Sequence, residues 1–253
     1  MALEILTKEE NLLKNLAIVK SKSDNKKVYA FLNANAYGHG IIKVGRLIDD
    51  EVEGFWVVNE SELRLLKENG IKKPIFLIGQ NAQIEKDGFE TKKIPLDLNE
   101  NLKRKGCLVE DYFKGFSLNL YGYPKGEFFP VMEVYSEVLD IFKIPPHANV
   151  GYCKVGRFGA TIATVKGGFA DGFSSDFIGS HLLIKGKPYP IVAVFTHSCL
   201  LKVDENVNEK DKVCICGSSE GRFRYFDELA REIKLDLREL LIRFGNLERN
   251  GKN

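Results

Sequence analysis

The chain of 253 residues lacks several features that would assign its class outright. No apolar run approaches the roughly 20 residues that a membrane-spanning helix needs. The opening stretch MALEILTKEENLLKN mixes acidic and basic residues on an amphipathic pattern, with no apolar signal core. Both absences point to a cytoplasmic protein with no membrane role. Net charge is scarce: 37 Lys and Arg against 35 Asp and Glu leave +2. That balance gives no electrostatic reason to invoke nucleic acid or an acidic lipid surface. Internal repeats and low-complexity segments are missing. Cysteines are few and without pattern: Cys107, Cys153, Cys199, Cys214 and Cys216 are scattered and odd in number, so they read as reduced thiols. Cys214 and Cys216 share one face of a strand, but no second pair exists to complete a zinc site. They read as small buried residues.

What is present is an ordinary globular composition, 44% hydrophobic and 28% charged. Val28 to Leu32 form an apolar run of strand length. Asn33 to Gly40 turn through small residues and glycines. Ile41, Ile42, Val44, Leu47 and Ile48 then follow at helical spacing. This is strand, loop and helix, the first half of a βαβ unit, and in such folds ligands sit beyond the carboxyl ends of the strands. Around it, Thr7-Lys8-Glu9-Glu10 has the pattern of a capping box before an apolar stripe from Leu12 to Val19. Phe55 to Val58 is a short buried strand. Asn59 and Glu62 cap a helix that Asn69-Gly70 ends, and Pro74 to Ile78 is another strand. The alternation predicts a parallel sheet. Lys93 to Leu98 reads as a weaker strand, and Phe113 to Gly122 alternates like a last one.

After Pro124 the period changes to two. Met132 to Ile141 alternates, and strands are predicted near Val150–Lys154, Phe158–Val165, His181–Ile184, Tyr189–Val203 and Lys212–Cys216. Lys185-Gly186-Lys187 reads as a tight turn. Asp227 caps a helix to about Lys234, and Leu237 to Phe244 is a second amphipathic piece. The expected layout is an α/β domain over residues 1–123 and a mostly antiparallel β domain over 124–253.

Ala34-Asn35-Ala36-Tyr37-Gly38-His39-Gly40 resembles the pyridoxal-phosphate loop of alanine racemases. Phe55 to Gln80 resembles that family's second and third barrel strands, and Leu120-Tyr121-Gly122 the end of its barrel. Gly151-Tyr152 resembles the strand of its catalytic tyrosine. Ile162 to Val165 with Gly168 to Phe173 resembles its IATV…GYADGY segment, and Pro190-Ile191-Val192 the start of its PIVG motif. Several pieces in one order are specific where each alone is weak. The resemblance implies an α/β barrel followed by a β domain, a dimer, and interconversion of L- and D-alanine. In that chemistry a lysine forms a Schiff base with pyridoxal phosphate. A tyrosine of the partner subunit works on the opposite face, an arginine donates to the pyridine nitrogen, and a second tyrosine holds the phosphate. By this resemblance Tyr37 is the phosphate tyrosine and Tyr152 the catalytic tyrosine. His39 reads as a loop-stabilising or solvated residue, not a base.

The departures fall on the chemistry. Asn33 stands where the resemblance places the lysine, and an amide nitrogen is neither nucleophile nor base. The arginine position falls on Gly115. The family's Cys-Met-Asp after PIVG reads Phe195-Thr196-His197. A complete eight-stranded barrel takes at least ~200 residues, so the α/β part reads as a truncated barrel whose open edges need cover. Three functional readings follow. The first is a degenerate paralogue acting as scaffold or regulatory subunit, in a homodimer or paired with a full-length racemase. The second is an active isomerase holding pyridoxal phosphate without a covalent bond. The third is a sensor of phosphate esters. None of the three expects covalent attachment of the cofactor.

Overall fold

Thr7 does not cap a helix. Glu4–Thr7 is a strand, β1, and the helix α1, Glu9–Ser21, starts after Lys8 with no side-chain cap. The four-residue pattern at Thr7 is local, whereas the partner of β1 lies far along the chain in β5, Met132–Ile144. Tertiary pairing decides the matter. The computed structural model describes residues 3–23, 27–77, 117–147, 149–150, 153–154 and 159–246. Its contacts divide the chain into two units, Thr7–Val131, and Met1–Leu6 with Met132–Asn253.

In the first unit the predicted alternation is found. After α1 come β2 (Tyr29–Phe31), α2 (Ile41–Ile48), β3 (Gly54–Val57), α3 (Glu60–Glu68) and β4 (Ile75–Leu77). The strands form a parallel sheet in the order β2-β3-β4, with Ala30 opposite Phe55 and Phe55 opposite Ile75. Every residue of β3 is buried, as a central parallel strand requires. The Asn59 side chain caps α3 by accepting the Glu62 amide at 2.8 Å.

Asn15 on α1 is wholly buried and ties the unit together. Its Nδ2 donates to the carbonyls of Leu120 (3.1 Å) and Phe129 (2.7 Å), and its Oδ1 accepts the Phe129 amide (2.8 Å). Lys93–Leu98 and residues 113–116 lie outside the described residues. The described end of the Phe113–Gly122 stretch is not a strand: Ser117–Asn119 is a single helical turn. The Leu118 carbonyl accepts both Tyr121 N and Tyr123 N, so the backbone there is satisfied locally and not in a ladder.

The second unit is mostly antiparallel, as the period of two implies. Besides β5 it contains β6 (Asn149–Val150), β7 (Cys153–Lys154), β8 (Ala160–Lys166) and β9 (His181–Ile184). It continues with β10 (Lys187–Val194), β11 (Ser198–Val203), β12 (Lys212–Ser219) and β13 (Arg222–Arg224). The stretch Tyr189–Val203 is thus two strands joined by a turn at Phe195–His197, not one. Strands β5-β8-β11-β10-β9-β12 follow one another, and β12 pairs back with β5. The ring is a closed six-stranded barrel, which removes the free edges of those strands. β1 extends it beside β5 and β13 beside β12. Helices α4 (Phe226–Glu232) and α5 (Leu237–Gly245) follow the barrel, with Phe226 and Phe244 ring centroids 5.9 Å apart. No helix among the described residues is long and apolar enough to cross a membrane.

Candidate functional site

The loop after β2 is the part of the first unit that the sequence singled out, and its backbone is unusual. Asn33–Tyr37 makes one turn in which Ala34, Asn35 and Ala36 are left-handed, with φ of 53°, 59° and 55°. Tyr37 continues at φ 49°. For L-residues with a Cβ this conformation costs roughly 1–2 kcal/mol each, so several bonds must hold it. Ala36 N donates to Leu32 O at 2.9 Å, and Gly38 N to Ala34 O at 3.0 Å. His39 N donates to Ala36 O and Gly40 N to Asn35 O, both at 3.0 Å. The Asn35 side chain accepts Ile41 N at 2.9 Å, fastening the turn to the start of α2. Glu62 on α3 reaches across and accepts Asn35 N through Oε1 at 2.9 Å.

Side chains then close over the turn. Tyr37 is buried, its ring 5.9 Å from that of Phe31 and 5.6 Å, edge-on, from that of Tyr121. Tyr121 is wholly buried and donates its hydroxyl to Phe31 O, the last residue of β2, at 2.9 Å. Burial, with Tyr37 and Glu62 nearby, pushes the Tyr121 phenol well above its usual range, so it stays a donor. His39 stacks on Tyr121 at 4.5 Å between centroids. Its Nδ1 faces the Ala36 carbonyl at 2.9 Å, and a carbonyl can only accept, so Nδ1 carries the hydrogen. Burial drops the His39 pKa to about 4, and the imidazole is neutral at neutral pH. Nε2, the remaining basic atom, is buried without a partner. His39 is therefore part of the loop's packing and is not placed to take a proton from a ligand.

Three pieces quoted separately from the sequence meet here: the Ala34–Gly40 run, Tyr121 and the α3 cap. Asn33 is half-buried at the start of the turn. Tyr152 and Gly115 lie outside the described residues. Two further pieces meet in the second unit. Phe169 N donates to Phe195 O (2.8 Å), Ala170 N to Thr196 O (2.9 Å), and Gly167 N to His197 O (3.0 Å). Asp171 Oδ2 lies 3.9 Å from His197 Nδ1 on the same loop pair. Sequence reasoning missed Asn35 and Glu62 as parts of the site. Glu62 was legible only as the third residue after a cap, and nothing local announces that it turns away from its own helix.

The chemistry open to the loop follows from its donors. Tyr37 carries a phenolic hydroxyl, a group able to donate to an acceptor oxygen such as that of a phosphate. The amides of Asn35, Gly38, His39, Gly40 and Ile41 are all engaged within the protein. Asn33 offers an amide, which forms no imine with an aldehyde. These residues suit pyridoxal phosphate at one point of its phosphate end and do not suit its aldehyde. No group of three or more His, Cys, Asp or Glu among the described residues is arranged to hold a metal ion.

Residues 8–92 match the family model of the alanine racemase N-terminal domain, and residues 131–249 that of the alanine racemase C-terminal domain. The alanine racemase of Haemophilus influenzae is 43% identical over 67 residues, which are 26% of this chain and 19% of that protein. The chain thus spans about a fifth of the length of that curated relative. The crystal structure of alanine racemase from Oenococcus oeni superposes with a TM-score of 0.77 over 96% of both chains, at 15% identity. That of Bacillus anthracis, solved with bound L-Ala-P, gives 0.74 at 15% identity, over 96% of this chain and 92% of that one. At such identities the likeness is one of fold.

Proposed function

The chain belongs to the alanine racemase family, and from that premise we propose that it keeps the family's frame without its covalent chemistry. It serves as a scaffold or regulatory subunit, in a dimer with itself or with a full-length racemase. The observation that carries this reading is Asn33, immediately before Ala34–Gly40. The turn, its bonds and its aromatic cover are present, and by the resemblance the residue at the cofactor-bearing lysine's position is an amide. In this reading the α/β part is a shortened barrel; a family match of residues 8–92, against the ~200 or more that eight strand–helix repeats require, supports it.

In this reading the chain's own residues bind and exclude; they do not move protons. Tyr37 offers a hydroxyl to a phosphate ester. Tyr121, held by Phe31 O, backs the Tyr37 ring. The buried, neutral His39 stacks on Tyr121 and adds no charge beside the turn. Pyridoxal phosphate, where bound, would supply an electron sink, but no amine of the described loop is placed to hold it covalently. The buried, unreactive thiols Cys199 and Cys214, both pushed up to about 12 by burial, suit a reducing cytoplasm.

The test is incubation with pyridoxal phosphate, the visible spectrum, borohydride reduction and peptide mapping. The expected result is no stoichiometric adduct at any single lysine. Asn33→Lys is expected to gain one, since the turn that follows is intact. A single wild-type lysine labelled to completion would overturn the reading and identify a replacement nucleophile.

A further inference from the structure

A glutamate at the third position of a helix ordinarily bends back to the amide of its own N-cap residue and completes a capping box. Glu62 stands at that position after Asn59, and the Asn59 side chain does its half by accepting Glu62 N. The Glu62 carboxylate does not return the bond. It crosses to the loop after β2 and accepts the amide of Asn35, 27 residues away, at 2.9 Å. It does so at only 7% exposure, and its Oε2 is buried without a partner. Burying a carboxylate that is only partly bonded is costly, and the amide it selects belongs to the middle residue of the left-handed turn. Asn35 in turn passes the constraint through its own Oδ1 to Ile41 N.

We infer that Glu62 is a positioning residue that sets the left-handed turn, and with it the direction of Tyr37, by holding the Asn35 amide. A free Asn35 N–H would leave the turn with its conformational cost and one fewer tie across to α3. Only the naming of Tyr37 as the ligand-facing group rests on the reading above; the clamp itself does not.

The experiment is amide hydrogen exchange on the ligand-free full chain, wild type against Glu62→Gln and Glu62→Ala, with a pyridoxal phosphate titration of each. In Glu62→Ala the amides of residues 34–38 are expected to exchange about tenfold faster or more, the scale of one charge-assisted hydrogen bond. Strands β2 to β4 are expected to keep wild-type protection. Glu62→Gln retains an acceptor oxygen and is expected to recover most of the protection. Recovery in the glutamine variant with loss in the alanine variant supports the clamp. Loss in both, confined to the turn, also supports it and shows that the charge is needed. Wild-type protection in Glu62→Ala overturns it. So does loss spread over β2 to β4 in both variants, since Glu62 would then hold the unit and not the turn. Failure of every protein to bind pyridoxal phosphate would count against the proposed ligand and leave the exchange result to decide the clamp.

Discussion

The two units hold themselves together by different means. The β unit is a closed ring of six strands in which each ladder has a partner on both sides. Its buried residues are mainly apolar, with Phe173, Phe177 and Phe244 clustered at centroid distances from 4.8 to 6.3 Å. The α/β unit has three described strands of three or four residues each. It relies on polar pins: Asn15 to the 120–129 segment, Asn35 to α2, Glu62 to Asn35, and Asp49 to the amides of Lys72 (2.9 Å) and Lys73 (3.1 Å). An apolar core tolerates exchange of one hydrophobe for another of similar volume. A polar pin depends on single atoms and fails when one is removed. The site-like loop is built on the second kind of support.

The largest effect is expected in the β unit. Phe177 is fully buried among Phe173 and Phe244. Phe177→Ala should destabilise by about 3–5 kcal/mol, the transfer free energy plus the cavity. Phe177→Leu should cost less than half as much, because most of the volume returns. Chemical denaturation with equal losses for the two variants would show that this cluster is not governed by packing, and the contrast between the units would lose its basis.

In the α/β unit the corresponding test is one of charge. The His39 pKa is held at about 4 by burial, against 6.5 for an ordinary imidazole. Above pH 6.5 both folded and unfolded states carry a neutral ring, and no pH dependence arises from it. Between 6.5 and about 4 the unfolded chain takes up a proton that the folded chain refuses, so stability falls as pH falls. Below about 4 both are charged and the loss stops growing. At 1.36 kcal/mol per unit the whole loss is about 3 kcal/mol. His39→Gln should remove that component, so the wild type and the variant should converge as pH drops through this window. Parallel pH profiles would mean that the ring is not buried as a neutral group.

Much of this was legible in the sequence, and the rest was hidden for identifiable reasons. The strand at His181–Ile184 and the Asn59 cap both follow from patterns within a few residues. So do the two terminal helices, although the first begins at Phe226 after Tyr225 and holds Asp227 inside its first turn and not as its cap, and the parallel alternation from Tyr29 to Leu77. The closure of β12 on β5 joins Lys212 to Glu137, and no local pattern encodes a pairing across that distance. The same holds for β1, whose Thr7 carries a sound capping pattern that goes unused. The left-handed turn was invisible for another reason. Ala34-Asn35-Ala36 contains no glycine, the residue by which such backbone is ordinarily recognised. Only the surrounding bonds, including the one from Glu62, explain why it persists.

The smallest expected effect sharpens the comparison by removing packing from it altogether. Gly70, which ends α3, and Gly221, in the turn between β12 and β13, have φ of +80° and +81°, and a Cβ at either would meet nothing within 4 Å. They are one backbone problem posed once in each unit. Gly70→Ala and Gly221→Ala should each cost about 1 kcal/mol, the penalty of placing a Cβ in left-handed backbone, partly offset by the lower freedom of the unfolded alanine chain. If the units differ only in how side chains support them, the two losses should agree within a few tenths of a kcal/mol in denaturant titrations. A markedly larger loss at Gly70 would mean that the polar-pinned unit is sensitive to its backbone as well as its side chains, and that the short parallel strands cannot absorb strain that the closed barrel can.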